Sequence, residues 1–346
     1  MVAALATSLR RVDIRPPEAL PRITDHDDVL VIPGLDAVYT ADGKLIEDSR
    51  RVTVPADMPT AFDTLARVER GFGQYAPDRV TVPDDVARDD RHVLFIGASW
   101  EHYGHFIIDA MSRLWALPHC SADLPLLFLD RAGARYDGTA YAKTVVDAME
   151  LGPRLISMDR ATLVRRMTIP EPAIQHAFRI YHALPTPHAA VARAVLRDGH
   201  DDFRGRPVYL SRSALGAGLR KSSAEAQLED GVRKLGMAVV YPERLTLADQ
   251  IVLFNTAGLI AGTIGSAFHT ALFSTRAAEL RMLMLTWEKI NNRYPMIDAV
   301  VGARASYVNA SAIGSKNTME RVVDVDLDVE ASLDAIAAAL AESSRS

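Results

Sequence analysis

His105, Asp109 and Arg113 recur at intervals of four in the stretch Tyr103-Gly-His-Phe-Ile-Ile-Asp-Ala-Met-Ser-Arg113. On a helix each step of four drifts only ~40°, so the three polar groups share one stripe. Ile107, Ile108, Met111, Leu114 and Leu117 supply the apolar side. Two readings are open. A His–Asp pair at this spacing holds an imidazole tautomer or sets a carboxylate as general base. Alternatively, Asp109 and Arg113 form an ordinary i,i+4 ion pair on an exposed face.

Farther along, short apolar runs end at once in Gly, Ser or charge. They are Arg206-Pro-Val-Tyr-Leu-Ser-Arg212, then Arg220-Lys221, then Val239-Val-Tyr-Pro-Glu243, then Gly262-Thr-Ile-Gly-Ser-Ala-Phe-His269. A parallel sheet reads this way when its carboxyl edge holds an anionic ligand. Gly262–Ser266 follows a strand and opens a helix, where free N–H groups attract phosphate; a tight turn without a ligand is the plainer alternative. His269, one turn on, is either a phosphate donor or a buried structural histidine. Arg212, Arg220 and Lys221 are phosphate-binding cations or solvated loop charges. Glu243 accepts from ribose hydroxyls, or is a surface acid beside Arg244.

The elements that must carry these residues alternate. A β-hairpin is expected within Asp28–Ile46, with a turn at Asp42-Gly43. Strands at Arg91–Ile96, Leu124–Leu129 and Arg154–Met158 alternate with helices at His102–Leu117 and Thr139–Leu151. Pro170, Pro172, Pro185 and Pro187 place a hinge in or near that region. A helix at His188–Phe203 leads into a second series, with strands Pro207–Ser211, Met237–Tyr241, Gly258–Ala261 and Leu280–Leu285. Its helices are Ala224–Leu235, Thr246–Asn255 and Ser266–Ser274, and Ala331–Ser343 is a terminal amphipathic helix. The order predicts an α/β fold of two doubly wound, Rossmann-like halves, 1–185 and 186–346, facing a cleft.

The chain has 346 residues, 49% hydrophobic and 24% charged, with a formal charge of -5. Nothing in that balance suggests wrapping nucleic acid, which usually wants a basic face. Cys120 is the only cysteine, so one chain builds no disulfide framework or zinc–thiolate site. No apolar run approaches the ~20 residues of a membrane span, and Met1–Val12 lacks the core of a signal peptide. A cytoplasmic protein is expected, with peripheral contact to a membrane-bound acceptor still compatible. GxxxxGK[ST], HExxH and GxSxG are absent. Asp324-Val325-Asp326 alternates acid and valine as a half-exposed strand does, and no metal site is expected.

Four segments together resemble glycosyltransferase family 61. Tyr103–Leu114 is similar to its YxHWxxDxLPRL helix, and Val208-Tyr-Leu-Ser-Arg212 to its YxSR strand. Pro242-Glu243 with Thr246–Phe254 is similar to PExLSxxEQIxLF, and Ile260–Phe273 to GxHGAALxNxxF. The resemblance covers roughly residues 92–290, in the same order. It implies a GT-B-like inverting enzyme that moves sugar from a nucleotide-sugar donor, as a UDP-sugar, to a glycan or lipid-linked glycan in surface polysaccharide synthesis of bacterial type. Arg212, Arg220, Lys221, Gly265, Ser266, Ala267 and His269 then hold the diphosphate without metal or other cofactor. Glu243 sits near the nucleoside, and Tyr103 and Arg113 contact substrate. Asp109 is the first choice of base and His105 the second. Ile264 stands where the family has His, Phe106 where it has Trp, Ala224 where it has Asn before Glu, and Thr270 where it has Asn. Ile264 and Ala224 keep open a relative that binds without turnover. A nucleotide-dependent oxidoreductase or epimerase needs GxGxxG after the first strong strand, which Gly97-Ala-Ser-Trp100 does not supply.

Overall fold

Alternation of apolar residues with polar ones, and two fully apolar runs, set the first sheet. The computed structural model describes residues 19–50, 76–98, 102–129, 138–175, 179–198, 203–216, 222, 224–286, 290–311 and 327–343. Arg220, Lys221 and Asp324–Asp326 lie outside the described residues. The chain divides into two compact units, Pro16–Val191 and a second that contains Ala192–Ser346.

In the first unit, β1 (Ile23–Val31), β2 (Tyr39–Thr40), β3 (Ala87–Ala98), β4 (Leu126–Leu129), β5 (Leu155–Ile156) and β6 (Thr162–Pro170) form one sheet in the order β2-β1-β6-β3-β4-β5. The hairpin forms through Val29↔Thr40 and Leu30↔Tyr39. This sheet is mixed, which corrects the expectation of a doubly wound first half: β1 runs antiparallel to both β2 and β6, whereas β3 is parallel to β4 and β6. Strand β6 is the element the sequence hides. Arg165-Arg166 interrupt its apolar run, and Pro170 looks like a breaker. The arginines are exposed on the strand, and Pro170 occupies its last position, opposite Ile23, where a proline costs no further ladder bond. Val29, Val31, Val93, Phe95, Leu127, Val164 and Met167 close one core against this sheet. A separate antiparallel pair, β7 (Ile174–Gln175) and β8 (Arg179–Ile180), follows β6. Helix α2 (Ala140–Ala148) is capped by Thr139, whose hydroxyl accepts from the Ala142 amide.

Helix α3 (Pro185–Val195) begins at the prolines expected to break structure. A proline in a first turn loses no helical bond, because that amide has no partner there in any case. The unit boundary falls inside this helix, slightly past 185.

In the second unit β9 (Pro207–Leu210), β10 (Ala238–Val240), β11 (Leu259–Thr263), β12 (Arg281–Thr286) and β13 (Arg304–Asn309) are all parallel, ordered β10-β9-β11-β12-β13. Counted within this sheet, the order is 2-1-3-4-5, a doubly wound arrangement. Helices α4 (Glu225–Lys234), α5 (Leu247–Thr256), α6 (Arg293–Val301) and α7 (Val329–Ser343) complete it. The expected start of α5 is realised as a capping box: Thr246 Oγ1 accepts from the Asp249 amide, and Asp249 accepts from the Thr246 amide. The α6–β13 pair was not anticipated. It is braced by Tyr307, whose hydroxyl donates to Asp298 Oδ2.

Burial pushes the Asp298 carboxyl up to about 7, against the Tyr307 hydrogen bond, which favours the charged form. Unfolded, this group titrates near its ordinary value of 3.8. Between those values the folded chain holds a proton that the unfolded chain releases, so stability falls as pH rises from about 4 to 7. The loss is roughly 4 kcal/mol at full shift. Denaturant unfolding of the second unit measured across this range is expected to show that slope, and Asp298→Asn is expected to flatten it.

Candidate active site

Chemistry-bearing side chains gather in two places, one in each unit. In the first unit the chain leaves β3 and makes a single α turn, Tyr103–His105 (α1), which widens into a π-turn, Phe106–Ala110. The Met111 amide reaches back five residues to Phe106 O at 3.2 Å. The Ser112 amide and hydroxyl both donate to Asp109 O, at 3.2 and 2.6 Å. A 3-10 segment, Leu114–His119, follows and contains Pro118. The continuous helix expected over His102–Leu117 is therefore broken, because a serine hydroxyl bonding back to the main chain competes with the helical ladder. Single π-turns of this kind occur most often at functional sites.

The π-turn still brings His105 and Asp109 together. His105 Nδ1 lies 2.7 Å from Asp109 Oδ2, and the two side chains are 19% and 3% exposed. The ring of His102 lies 5.1 Å from that of His105, and Tyr103 packs edge-on against Tyr141. Arg113 is not on an exposed stripe. It is buried, its Nη2 donates to Asp48 O at 2.7 Å and Arg50 O at 2.8 Å, and its guanidinium lies over the Phe95 ring. Burial lowers its pKa to about 9. The structure thus sets Arg113 beneath the segment, tying it to the Asp48–Arg50 loop, in place of the ion pair with Asp109.

In the second unit the winding direction of the sheet reverses between β9 and β11. Ligands of open parallel sheets bind at the carboxyl ends of the strands at such a point. Arg212 follows β9, and Gly265 follows β11. Their meeting is direct: Arg212 Nη1 donates to Ile264 O at 3.1 Å. A Cβ on Gly265 would stand 2.0 Å from Arg212 Nη1, so glycine is what lets the guanidinium lie against the loop. Gly265, Ser266 and Ala267 are half-buried, and Ile264 and Phe268 on either side are buried. The expected helix after this loop is a 3-10 helix, Ser266–Phe273. His269 is buried within it and stacks on Tyr294, with ring centroids 5.0 Å apart. Glu243 lies exposed in the short turn after β10. Arg212, Gly265, Ser266 and Ala267 share one sheet edge, whereas Arg220 and Lys221 lie outside the described residues.

Two acids that the sequence reading did not select as site residues organise this edge. Glu225 Oε1 accepts from Tyr209 OH at 3.0 Å and from the Arg212 amide at 3.1 Å. Its Oε2 has no hydrogen-bond partner among the described residues although the residue is 2% exposed, and burial raises its pKa. Glu229 accepts from Ser211 and Ser213 hydroxyls, Tyr241 OH and Arg233 Nη2, at 2.7, 2.5, 3.0 and 2.8 Å. Those donors outweigh burial and hold it at about 2. The signal was present: two glutamates four apart open the helix that follows the basic pair, so both lie on one face of α4. Among the described residues no cluster of three His, Cys, Asp or Glu side chains suits a metal ion, and no helix is long and apolar enough to cross a membrane.

The family model for Glycosyltransferase 61 matches residues 103–280, from the turn that carries His105 to the residue before β12. That is more than half of the chain. The protein belongs to glycosyltransferase family 61. Comparison with curated proteins found no match. As a glycosyltransferase it works with a sugar donor and a glycan acceptor, and the matched span contains both groups of side chains.

The Glu229 network gives this glycosyltransferase a measurable acid limb. The ordinary carboxyl value is 4.5 and the folded value about 2. Its contribution is complete above 4.5 and is lost as pH falls toward 2, because only the unfolded chain takes up a proton in between. Glu229→Gln is expected to lower stability by about 2 kcal/mol at neutral pH and to remove that limb, read by denaturant unfolding from pH 7 to 3.

Proposed function

We propose that this glycosyltransferase binds a nucleotide-sugar donor at the β9/β11 edge and transfers the sugar, with inversion, to a hydroxyl of a glycan or lipid-linked glycan in surface polysaccharide synthesis. The observation that carries the reading is the contact of Arg212 with the Ile264 carbonyl beside Gly265, at the point where the sheet changes its winding direction. A guanidinium and uncovered backbone amides at that point suit a diphosphate, whose developing charge they stabilise as it leaves. The all-parallel 2-1-3-4-5 order supports a GT-B-type donor domain, and UDP is the nucleotide the resemblance favours. Charge neutralisation by Arg212, with Arg220 and Lys221, makes the reaction metal-independent in this reading.

The base belongs to the His105–Asp109 pair. From sequence, Asp109 ranks ahead of His105; burial and hydrogen bonding support the reverse. Asp109 is the more deeply buried of the two and bonds Nδ1, which fixes the imidazole tautomer and leaves Nε2 as the ring nitrogen that takes a proton. In the step itself the acceptor oxygen attacks the anomeric carbon and its proton passes to His105 Nε2. The bond from the anomeric carbon to the phosphate oxygen breaks, and the nucleoside diphosphate departs. An acceptor proton removed in this way is worth about 10²–10⁴ in rate.

A thermal-shift panel of UDP, GDP, CMP and their sugars, with and without EDTA and with NAD as a control, tests the donor. A rise with one nucleotide that EDTA leaves in place is expected. A rise with NAD alone would overturn the assignment, and binding with no turnover on any acceptor would move the protein to the binding-only class that Ile264 and Ala224 keep open. With a donor in hand, His105→Gln is expected to cut kcat by about 10²-fold or more with donor binding unchanged, and Asp109→Asn to cut it comparably through the wrong tautomer. Turnover kept within a few-fold in His105→Gln, and lost in Asp109→Asn, hands the base role to Asp109.

A further inference from the structure

Among the described residues, the π-turn that carries Asp109 leaves the Ile107 carbonyl without a ladder donor. In an α-helix the Ile107 carbonyl accepts from the amide four residues on, and in a π-helix from the fifth. Those amides belong to Met111 and Ser112. The first goes to Phe106 O at 3.2 Å and the second to Asp109 O at 3.2 Å. Ile107 is fully buried, and a buried carbonyl left without a donor is unfavourable because water cannot replace the lost partner. Its donor comes from elsewhere in the same unit: His188 Nε2, in the first turns of α3, lies 2.9 Å from Ile107 O.

His188 is 0% exposed, and its other nitrogen, Nδ1, lies 2.8 Å from Leu184 O. Two carbonyls can be satisfied together only by an imidazolium. Burial opposes that charge and, although both carbonyl bonds work the other way, pushes the pKa down to about 4. At neutral pH the ring therefore carries one proton. The residue before a helix already gives its carbonyl to the first helical bond, and Leu184 stands immediately before α3. Ile107 O has no such alternative. The proton is worth more on Nε2.

We infer that His188 is a positioning residue for the His105–Asp109 pair: as the Nε2–H tautomer it replaces the missing helical donor to Ile107, and so holds the π-turn at the width that sets Asp109 Oδ2 against His105 Nδ1. The catalytic meaning of this inference rests on the proposed role of that pair, but the placement itself does not. Ser112 and Arg113 secure the far side of the same segment. The Ser112 carbonyl accepts from the Ala173 amide at 2.8 Å, and Arg113 holds the Asp48 and Arg50 carbonyls. His188 is the tie inside the turn.

The test reads side-chain nitrogens in the full chain labelled with ¹⁵N, and needs no substrate. In the wild type at pH 7, His188 is expected to show a protonated Nε2 and a bare Nδ1, and His105 a protonated Nδ1. His188→Phe removes the donor at similar bulk and is expected to lose the protonated-Nδ1 signature of His105 in a folded protein. His188→Gln, whose amide reaches toward the same carbonyl, is expected to restore it. A purely structural role would lower the melting temperature of His188→Phe and leave His105 unchanged. That result overturns the inference, and so does a wild-type His188 protonated on Nδ1. If His188→Phe does not fold, the wild-type tautomer and His188→Gln decide: a folded His188→Gln that lacks the His105 signature also overturns it. Failure of the donor reading appears separately, as absence of any nucleotide shift with these nitrogen signals intact.

Discussion

The direct pairing of β9 with β11 is the constraint on which the donor side depends. Because β10 lies outside β9 and β12 outside β11, the chain leaves these two neighbouring strands toward opposite flanks of the sheet. Their carboxyl ends are adjacent, and the connections that would cover them diverge. Whatever residues follow Leu210 and Thr263 must then share one small space. Arg212 and Gly265 meet there so closely that a methyl group on the glycine would have to push the tip of the Arg212 side chain aside. The acids of α4 complete the arrangement. Glu225 takes the Arg212 amide, Glu229 takes two serine hydroxyls of the same turn, and the strand end is held from its main chain upward.

The two carboxylates show how environment divides one residue type into two behaviours. They are four apart on one helix, yet among the described residues Glu229 is surrounded by four donors and stays charged, while Glu225 meets two donors on one oxygen and none on the other. Hydrogen bonds to the charged form win in the first case and desolvation wins in the second. The same contest governs the first unit. Arg113 is buried with two main-chain carbonyls on Nη2, the Phe95 ring beneath it and no partner on Nε among the described residues, so desolvation outweighs the pull of the Asp48 and Glu171 carboxylates and its pKa falls.

What was legible in the sequence follows from the range of the forces involved. Short-range signals held: the Thr246 cap, the Asp28–Ile46 hairpin, the strands before Arg212 and Gly262, and the four-residue spacing of His105 and Asp109. Each is set by neighbours within a few residues. Strand β6 was hidden because its identity comes from β1 and β3 on either side, which outweigh two central arginines and a terminal proline. The expected helix over His102–Leu117 failed for a local reason that periodicity cannot see: a serine hydroxyl captured the Asp109 carbonyl. Arg113 kept its spacing and lost its predicted neighbour, since breaking the helix turned its side chain into the core. Glu225 and Glu229 were visible as residues, but their work depends on where β9 ends relative to α4.

The departure at Ile264 looks less severe once the loop geometry is known. In the motif this chain resembles, an imidazole stands at that position. Here the side chain is buried, at 6% exposure, between a strand and a 3-10 helix. The atom of Ile264 that serves the edge is its carbonyl oxygen, which orients Arg212 and which any residue supplies. A change of side chain therefore leaves the guanidinium and the glycine backbone where they are. It removes one imidazole from the loop but none of the groups that fix the shape of the edge. Gly265 acts through its missing side chain: a Cβ there would stand 2.0 Å from Arg212 Nη1, so any other residue would push the guanidinium away from the Ile264 carbonyl.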